Sequence, residues 1–264
     1  MSESSSVLYD VQQSVATITL NRPESLNAMT NGLMKDLVDT LARVEADKSV
    51  HVVVITGSGR GFCAGADLAG QASAKPSDPK PDGKVDDHFN GAMRAIYNSS
   101  VPTVARVNGA AAGGGFGLAL ACDITVAAKN AFFVATFGPK LGIVPDLGTS
   151  WNLPRKAGRA RALGLAMLGD RITAEQAEAW GLIWKAVDDD QLDAEVELIT
   201  KKLARTSTDA MTRIRSVTDA GLDNSFSDQL DLEMEHQAVL IPKNMTEGAR
   251  AFMEKREPEF PGRN

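Results

Sequence analysis

The sequence predicts an α/β protein in which buried strands alternate with helices around a largely parallel sheet. Residues 51–56 and 103–107 are rich in β-branched and other apolar side chains, which is typical of strands buried on both faces of a parallel sheet. A glycine-rich turn follows each run, and each turn leads towards a helical pattern. Units of this kind favour βαβ or ββα winding over an antiparallel sandwich.

The remaining elements continue this alternation. Residues 15–20 indicate a strand with a possible partner at 7–11, and Thr30 is a candidate N-cap for a helix that runs to about Asp47. Thr173, with Gln176 three residues later, has the form of a capping box. The other predicted elements are a loop over 70–84, a strand over 123–127, and helices over 85–98, 113–121, 159–168, 173–180, 192–204 and 207–220.

A domain boundary is predicted at residue 204. It separates a core of residues 1–204 from a helical C-terminal region of residues 205–264. Helices with one apolar face are not stable alone, so this region should pack on the core or on another subunit.

Composition and charge exclude several classes of function. The net charge of −6 disfavours a nucleic-acid partner, and no apolar run is long enough to predict a membrane span. The first residues lack the basic start and apolar core of a signal peptide, and two cysteines give no disulfide framework. The three histidines lie far apart, which disfavours a metal site. We therefore expect a cytoplasmic protein with no metal or other cofactor.

The strongest chemical signal lies in two glycine-rich segments, 61–68 and 108–117. Small residues there let a ligand approach the backbone, and free N–H groups at a helix N-terminus favour an anion. A phosphate loop would require a lysine followed by Ser or Thr, which neither segment has. A dinucleotide fingerprint beginning at Gly57 would require glycine where Phe62 stands. The simpler alternative is that the glycines only allow close packing of helix on sheet.

These segments carry a family resemblance. Phe-Cys-Ala-Gly-Ala-Asp-Leu at 62–68, followed by Val-Asn-Gly, Gly-Gly-Gly and Ala-Cys-Asp-Ile, resembles the crotonase (enoyl-CoA hydratase/isomerase) superfamily. The likeness runs from Leu-Asn-Arg-Pro at 20–23 to the segment 247–256. It implies an α/β crotonase fold, a ββα-spiral core with a helical C-terminal trimerisation region. It also implies an acyl-CoA substrate, with coenzyme A as part of it, and a homotrimer or a dimer of trimers.

The resemblance implies that the N–H groups of Ala66 and Gly114 form an oxyanion hole for a thioester enolate. Donors preorganised in this way each contribute about 3–4 kcal/mol to catalysis. Arg22 and Lys255 are candidates for contacts with the CoA phosphates, although solvated surface charges explain them equally well. Phe252 is a candidate for the adenine site, with a core position as its alternative. The full set of candidate substrate-binding residues is Arg22, Ala28, Ala64, Asp67, Leu68, Gly113, Phe252 and Lys255.

Carboxylates distinguish the reactions of this family. Its hydratases resemble one another in using two glutamates, and the matching positions here are Gly117 and Gly138. Asp146 lies where related isomerases carry an acidic acid/base residue. A single carboxylate suffices for moving a proton between two carbons. Apolar neighbours, Ile143, Val144 and Leu147 among them, should raise its pKa. The alternative is that Asp146 is a helix N-cap.

The segment 141–187 resembles the isomerases of phenylacetate catabolism, which act on ring-epoxidised phenylacetyl-CoA and also shift enoyl-CoA double bonds. One departure is Thr149-Ser150, where Gly-Thr is expected. We therefore predict an acyl-CoA isomerase. The alternatives are an enoyl-CoA hydratase of fatty-acid β-oxidation, a hydrolase or dehalogenase with Asp146 as nucleophile, and a non-catalytic binding protein. Cys63 has no neighbouring histidine to activate it, so a packed thiol is expected there.

Overall fold

Two sheets form the centre of the computed structural model, which describes residues 5–71 and 88–263. The strands, in chain order, are β1 (Val7–Gln12), β2 (Val15–Leu20), β3 (Val52–Gly57), β4 (Gly61–Cys63), β5 (Thr103–Val107), β6 (Ala110–Ala112), β7 (Ile124–Ala128), β8 (Phe132–Val134), β9 (Ile172–Thr173) and β10 (Lys185–Val187).

Helices cover both sheets and form the C-terminal part. They are α1 (Asn31–Ala46), α2 (Leu68–Gln71), α3 (His88–Tyr97), α4 (Gly114–Ala121), α5 (Thr149–Leu168), α6 (Ala174–Ala179), α7 (Leu192–Ala204), α8 (Thr208–Ala220), α9 (Phe226–Leu240) and α10 (Thr246–Glu254). Short 3₁₀ turns lie at Pro23–Ser25 and Asp189–Gln191, and single π-helical turns at Phe137–Leu141 and Ile241–Met245.

The larger sheet has the strand order β1-β2-β3-β5-β7-β10. Its pairs are parallel except for the antiparallel pair of β1 with β2. Every residue of β3 is buried, as the apolar run predicted. The smaller sheet has the strand order β4-β6-β8-β9. Its strands β4 and β6 directly follow β3 and β5 in the chain. The two glycine-rich segments therefore contain strands of this second sheet.

The predicted helix starts are largely confirmed by their caps. The Thr30 hydroxyl accepts a hydrogen bond from Leu33 N–H at 3.1 Å, and the Thr173 hydroxyl accepts one from Gln176 N–H at 3.1 Å. One helix is longer than predicted, because α5 begins at Thr149 rather than at residue 159. Gly158 interrupts it with φ of 79°, so the predicted start coincides with this break.

The predicted loop over 70–84 lies mostly outside the described residues. Its first two residues belong to α2, and α3 confirms the described part of the helix predicted at 85–98.

The C-terminal helices pack on the core through polar contacts. Arg215 of α8 donates to both carboxylate oxygens of Asp123, at 2.5 and 2.6 Å, and to three backbone carbonyls. By contrast, no residue of α9 is buried. The predicted boundary at 204 coincides with the end of α7, and the division into two domains stays a prediction.

No helix in the described part of the chain has both the length and the apolar character needed to cross a bilayer. Within the same residues, no group of three or more His, Cys, Asp or Glu side chains is arranged to hold a metal ion.

Candidate active site

Asn27 fixes the turn that precedes the first glycine-rich segment. It is fully buried, and its amide nitrogen donates to the carbonyls of Ser58 and Gly61 at 3.0 and 2.9 Å. Its amide oxygen accepts from Arg22 N–H at 2.9 Å. Because a buried amide is stable only when its polar groups are paired, these contacts hold the turn and β4 in one arrangement.

A short parallel bridge between Met29 and Ala66 positions the first predicted donor. Met29 N–H donates to Gly65 O at 2.7 Å, and Asp67 N–H donates to Met29 O at 2.9 Å. Ala66 is exposed, and its N–H donates none of the turn and cap hydrogen bonds found in residues 5–71 and 88–263. This N–H therefore has no partner among those hydrogen bonds, as the predicted oxyanion donor requires.

The second predicted donor, Gly114, is the first residue of α4. Gly113 is the N-cap, with φ of 52°, and its N–H donates to Val134 O at 2.9 Å. A Cβ atom on Gly65 would lie only 3.1 Å from the nitrogen of Gly114 and 2.7 Å from Ala112 O. The two glycine-rich segments therefore meet at a point where only glycine fits, and this contact brings the residue before Ala66 against Gly114, the second predicted donor.

The two positions matched to hydratase glutamates are closed by backbone atoms. A Cβ atom on Gly117 would lie 2.5 Å from Leu147 O and 2.7 Å from the Thr149 hydroxyl oxygen. One on Gly138 would lie 2.8 Å from Ala166 O. Any side chain at these positions would displace a neighbouring segment of backbone, so the packing of this chain requires glycine at both.

Asp146 lies in the turn before α5, and the alternative reading of this residue as a helix N-cap is wrong. The N-cap of α5 is Gly148, which has no side chain, and Asp146 accepts Thr149 N–H through its backbone carbonyl at 2.8 Å. The Asp146 carboxyl group therefore does not cap α5. Although Asp146 reaches solvent, partial desolvation raises its pKa above the ordinary value of 3.8.

Leu147 follows Asp146 in the chain and packs against Gly114, the second predicted donor. Its φ of 49° is left-handed, and the following glycine, Gly148, has φ of 76°. This turn directs the Leu147 side chain so that Cδ1 lies 2.6 Å from the place of a Cβ atom on Gly114. Leu147 is buried as expected, but Ile143 and Val144 are 49% and 77% exposed, so the predicted apolar surroundings are only partly present.

Three candidate substrate-binding residues are connected to one another. The Arg22 guanidinium donates to Ala28 O at 2.6 Å and to a carboxylate oxygen of Asp67 at 3.0 Å. Arg22 is therefore paired rather than a free solvated charge, and its contact with the CoA phosphates stays a prediction. It joins the segment before α1 to the residue that follows Ala66.

The other candidates fall into two groups. Ala64, Leu68 and Gly113 lie on the two glycine-rich segments, with Leu68 48% exposed. Phe252 and Lys255 lie at the end of α10, where Phe252 is 82% exposed, so its alternative as a core residue is wrong. Within the described residues, no hydrogen bond or ion pair joins these two residues to the glycine-rich segments.

A cavity of about 500 Å³ opens beside Leu147 and Gly148, between α3 and α5. Met93, Tyr97 and Trp151 contribute to its wall. Sequence patterns singled out none of these three, and Met29, whose sulfur lies 3.2 Å from the place of a Cβ atom on Gly114, was missed as well. Apolar residues on helices carry no local sign that they border a ligand site.

The Cys63 thiol is buried, and burial raises its pKa to about 12. It donates a hydrogen bond to Asn27 O at 3.2 Å. A thiol with so high a pKa is not a nucleophile at neutral pH, which agrees with the expected packed thiol.

Comparisons with known proteins agree with this architecture. The family model described as enoyl-CoA hydratase/isomerase matches residues 10–263. A 1,2-epoxyphenylacetyl-CoA isomerase of Escherichia coli is 41% identical over 97% of this chain and 98% of its own. A probable enoyl-CoA hydratase of Rhodobacter capsulatus is 38% identical over 97% of this chain and 98% of its own. The crystal structure of an enoyl-CoA hydratase from Polaromonas sp. JS666 superposes with a TM-score of 0.90 at 32% identity, covering 97% of this chain and 99% of the other. The protein belongs to the enoyl-CoA hydratase/isomerase family and has its crotonase fold.

Proposed function

We propose that this enzyme isomerises acyl-CoA thioesters by moving a proton through an enolate. In this reaction the N–H groups of Ala66 and Gly114 donate to the thioester oxygen, where negative charge develops. Asp146 removes a proton from carbon 2 and returns it to carbon 4, so that a 3-enoyl thioester becomes a 2-enoyl thioester. No oxidation state changes and no water is added, so the step needs no further cofactor.

The closure of position 117 is the observation that carries this proposal. A hydratase of this family needs two carboxylates around a water molecule, and Leu147 O lies only 2.5 Å from the point where a side chain on Gly117 would begin. The Leu147 turn that closes this position also carries Asp146, whose carboxyl group caps no helix and whose pKa is raised by desolvation. One basic carboxylate next to an oxyanion hole fits proton transfer within the substrate better than addition of water.

The name of the Escherichia coli relative suggests the substrate class. Its substrate is a ring-epoxidised phenylacetyl-CoA, and we propose a substrate of this type or a 3-enoyl-CoA for the present enzyme. The cavity of about 500 Å³ beside Leu147 would receive the acyl group. Its wall includes Met93, Tyr97 and Trp151, which suit a ring or an alkyl chain.

A homotrimer or a dimer of trimers is part of the proposal. Phe226, Leu230 and Met234 recur every four residues on α9 and are 82%, 45% and 67% exposed. An apolar helix stripe of this kind is normally covered by another surface. We also retain a cytoplasmic location, which agrees with two buried thiols that form no disulfide.

The decisive experiment compares isomerisation with hydration. Purified wild type and the variant Asp146→Asn are each given 3-enoyl-CoA and 2-enoyl-CoA, and the products are separated by chromatography. We expect wild type to convert 3-enoyl-CoA to 2-enoyl-CoA, and the variant to lose about 10²- to 10⁴-fold in kcat. Asp170→Asn is the control, because Asp170 is an exposed carboxylate with no hydrogen bond or ion pair in the described residues.

Two outcomes would contradict the assignment. Hydration of 2-enoyl-CoA that persists at full rate in Asp146→Asn would indicate a hydratase with another base. Release of free CoA thiol that depends on Asp146 would indicate the hydrolase alternative, in which the carboxylate is a nucleophile.

A further inference from the structure

A second cavity, of about 390 Å³, lies behind the proposed acyl cavity. The two cavities share Tyr97, Ala121, Trp151 and Asn152 in their walls. Tyr97 and Trp151 form an edge-to-face pair with ring centroids 5.7 Å apart. These two rings therefore separate a proximal cavity beside Leu147 from a distal cavity between α5 and α8.

Polar groups line the distal cavity, and its carboxylates are already partnered. Asp123 accepts two hydrogen bonds from Arg215, at 2.5 and 2.6 Å. Asp219 accepts a hydrogen bond from the Tyr97 hydroxyl at 2.8 Å. These acceptors are satisfied by protein groups, so neither carboxylate requires a ligand.

Lys156 differs from the other charged groups of this cavity. Its ammonium group makes no hydrogen bond and no ion pair with any described residue, whereas Arg155 pairs with Asp223 at 3.5 Å and stacks on Trp151 at 4.2 Å. Desolvation lowers the pKa of Lys156, and the fields of Asp219 and Asp123 offset only part of that effect. Lys156 is an exposed residue of the cavity wall, and its three ammonium donors have no hydrogen-bond partner among the described residues, although the carboxylates of Asp123 and Asp219 lie in the same wall.

We propose that the distal cavity binds the far end of the acyl group, and that Lys156 selects acyl groups whose end carries a hydrogen-bond-accepting oxygen. This inference rests on the proposed acyl-CoA substrate. The accepting oxygen belongs to a carboxylate or a hydroxyl group, because both satisfy the ammonium donors. The Tyr97–Trp151 pair then decides which acyl groups pass from the proximal to the distal cavity.

The length of α5 between the two cavities indicates how long such an acyl group must be. Gly148, at the start of the helix, lines the proximal cavity, and Lys156 lines the distal one. Eight residues of helix span roughly 12 Å. A short acyl group remains in the proximal cavity, and an extended chain of medium length reaches Lys156.

Binding of unreactive saturated acyl-CoAs tests this selection without turnover. Three series of acyl-CoAs, ending in a methyl, a hydroxyl or a carboxylate group, are titrated calorimetrically in chain lengths from six to twelve carbons. In wild type we expect the two oxygen-bearing series to bind about tenfold more tightly than the methyl series at the length that reaches the distal cavity. Comparison of carboxylate with hydroxyl then identifies which oxygen is preferred.

Variants of Lys156 assign the preference to its ammonium group. Lys156→Met should abolish the difference between the series, Lys156→Arg should retain it, and Lys35→Met, on the exposed face of α1, should leave it unchanged. Equal binding of all three series at every length would overturn the inference, as would a preference that survives in Lys156→Met. Either result would leave acyl-CoA binding intact, whereas failure of every acyl-CoA to bind would count against the proposed function itself.

Discussion

The backbone oxygen of Leu147 lies 2.5 Å from the point where a side chain on Gly117 would begin. The turn that carries Asp146 is thereby packed directly on the first turns of α4, whose N-terminal residue is the proposed donor Gly114. Helix α4, the proposed donor Gly114 and the turn that carries Asp146 therefore form one packed unit. A change at Gly117 should therefore affect both the stability of the fold and the proposed chemistry.

Substitution of Gly117 by alanine tests this packing. The added methyl group must displace Leu147, so we expect a loss of about 1–3 kcal/mol in the free energy of unfolding and a fall in kcat. Gly164→Ala is the matched control, because Gly164 is helical and its Cβ would meet no atom within 4 Å. The control should gain roughly 0.5–1 kcal/mol from its higher helix propensity. Urea titrations of both variants measure the difference, and equal effects would disprove the close packing at Gly117.

The contact of Arg22 with Asp67 predicts a second effect on the site. Arg22→Met removes the bonds to Asp67 and to Ala28 O, so we expect a loss of roughly 1–3 kcal/mol in the free energy of unfolding. We also expect weaker catalysis, because Asp67 follows the proposed donor Ala66. The control Lys35→Met breaks an ion pair whose side chains are 57% and 59% exposed and should cost only about 0–0.5 kcal/mol. Urea unfolding and initial rates measure both quantities. A loss no larger than that of the control would mean that Arg22 does not fix this segment.

The raised pKa of Asp146 predicts opposite effects of pH on activity and on stability. The proposed base is active only when ionised, so kcat/KM should rise as pH increases through the raised pKa. The folded state holds this proton more tightly than the unfolded state, so the contribution of Asp146 to stability is fully present at low pH and is lost as pH rises through the folded pKa. Urea unfolding of wild type and Asp146→Asn across this pH range should show wild type losing stability relative to the variant. A difference that does not vary with pH would contradict the shift.

The buried hydroxyl of Thr149 predicts that replacement of this residue by valine does not destabilise the fold. Its oxygen has no hydrogen-bond partner in the described residues, so Thr149→Val should leave the free energy of unfolding unchanged or raise it by up to about 1 kcal/mol. Thr125 is also buried, but its hydroxyl donates to Ala119 O at 2.7 Å, so Thr125→Val should lose about 1 kcal/mol. Chemical denaturation of the two variants compares them directly. If Thr149→Val is as destabilised as Thr125→Val, the Thr149 hydroxyl is not unpartnered.

The sequence by itself determined the elements whose signals are local. The run at 51–56 predicted β3 because a strand buried on both faces must be apolar throughout, and Thr30 predicted the start of α1 because its hydroxyl replaces a missing backbone acceptor. The two glycine-rich segments, and the glycines at 117 and 138, were likewise visible in the sequence. They identified the family and the proposed chemistry before any contact was known.

Tertiary structure alone decided what those residues touch. Strands of two or three residues, such as β6 and β9, carry no periodicity, so the smaller sheet was not predictable. Three contacts of the site join segments that are distant in sequence. They are the contact of Gly65 with Gly114, that of Leu147 with Gly117, and the ion pair of Arg22 with Asp67. The type of a residue limits which contacts it can make, but the packing of the whole chain decides which of them form.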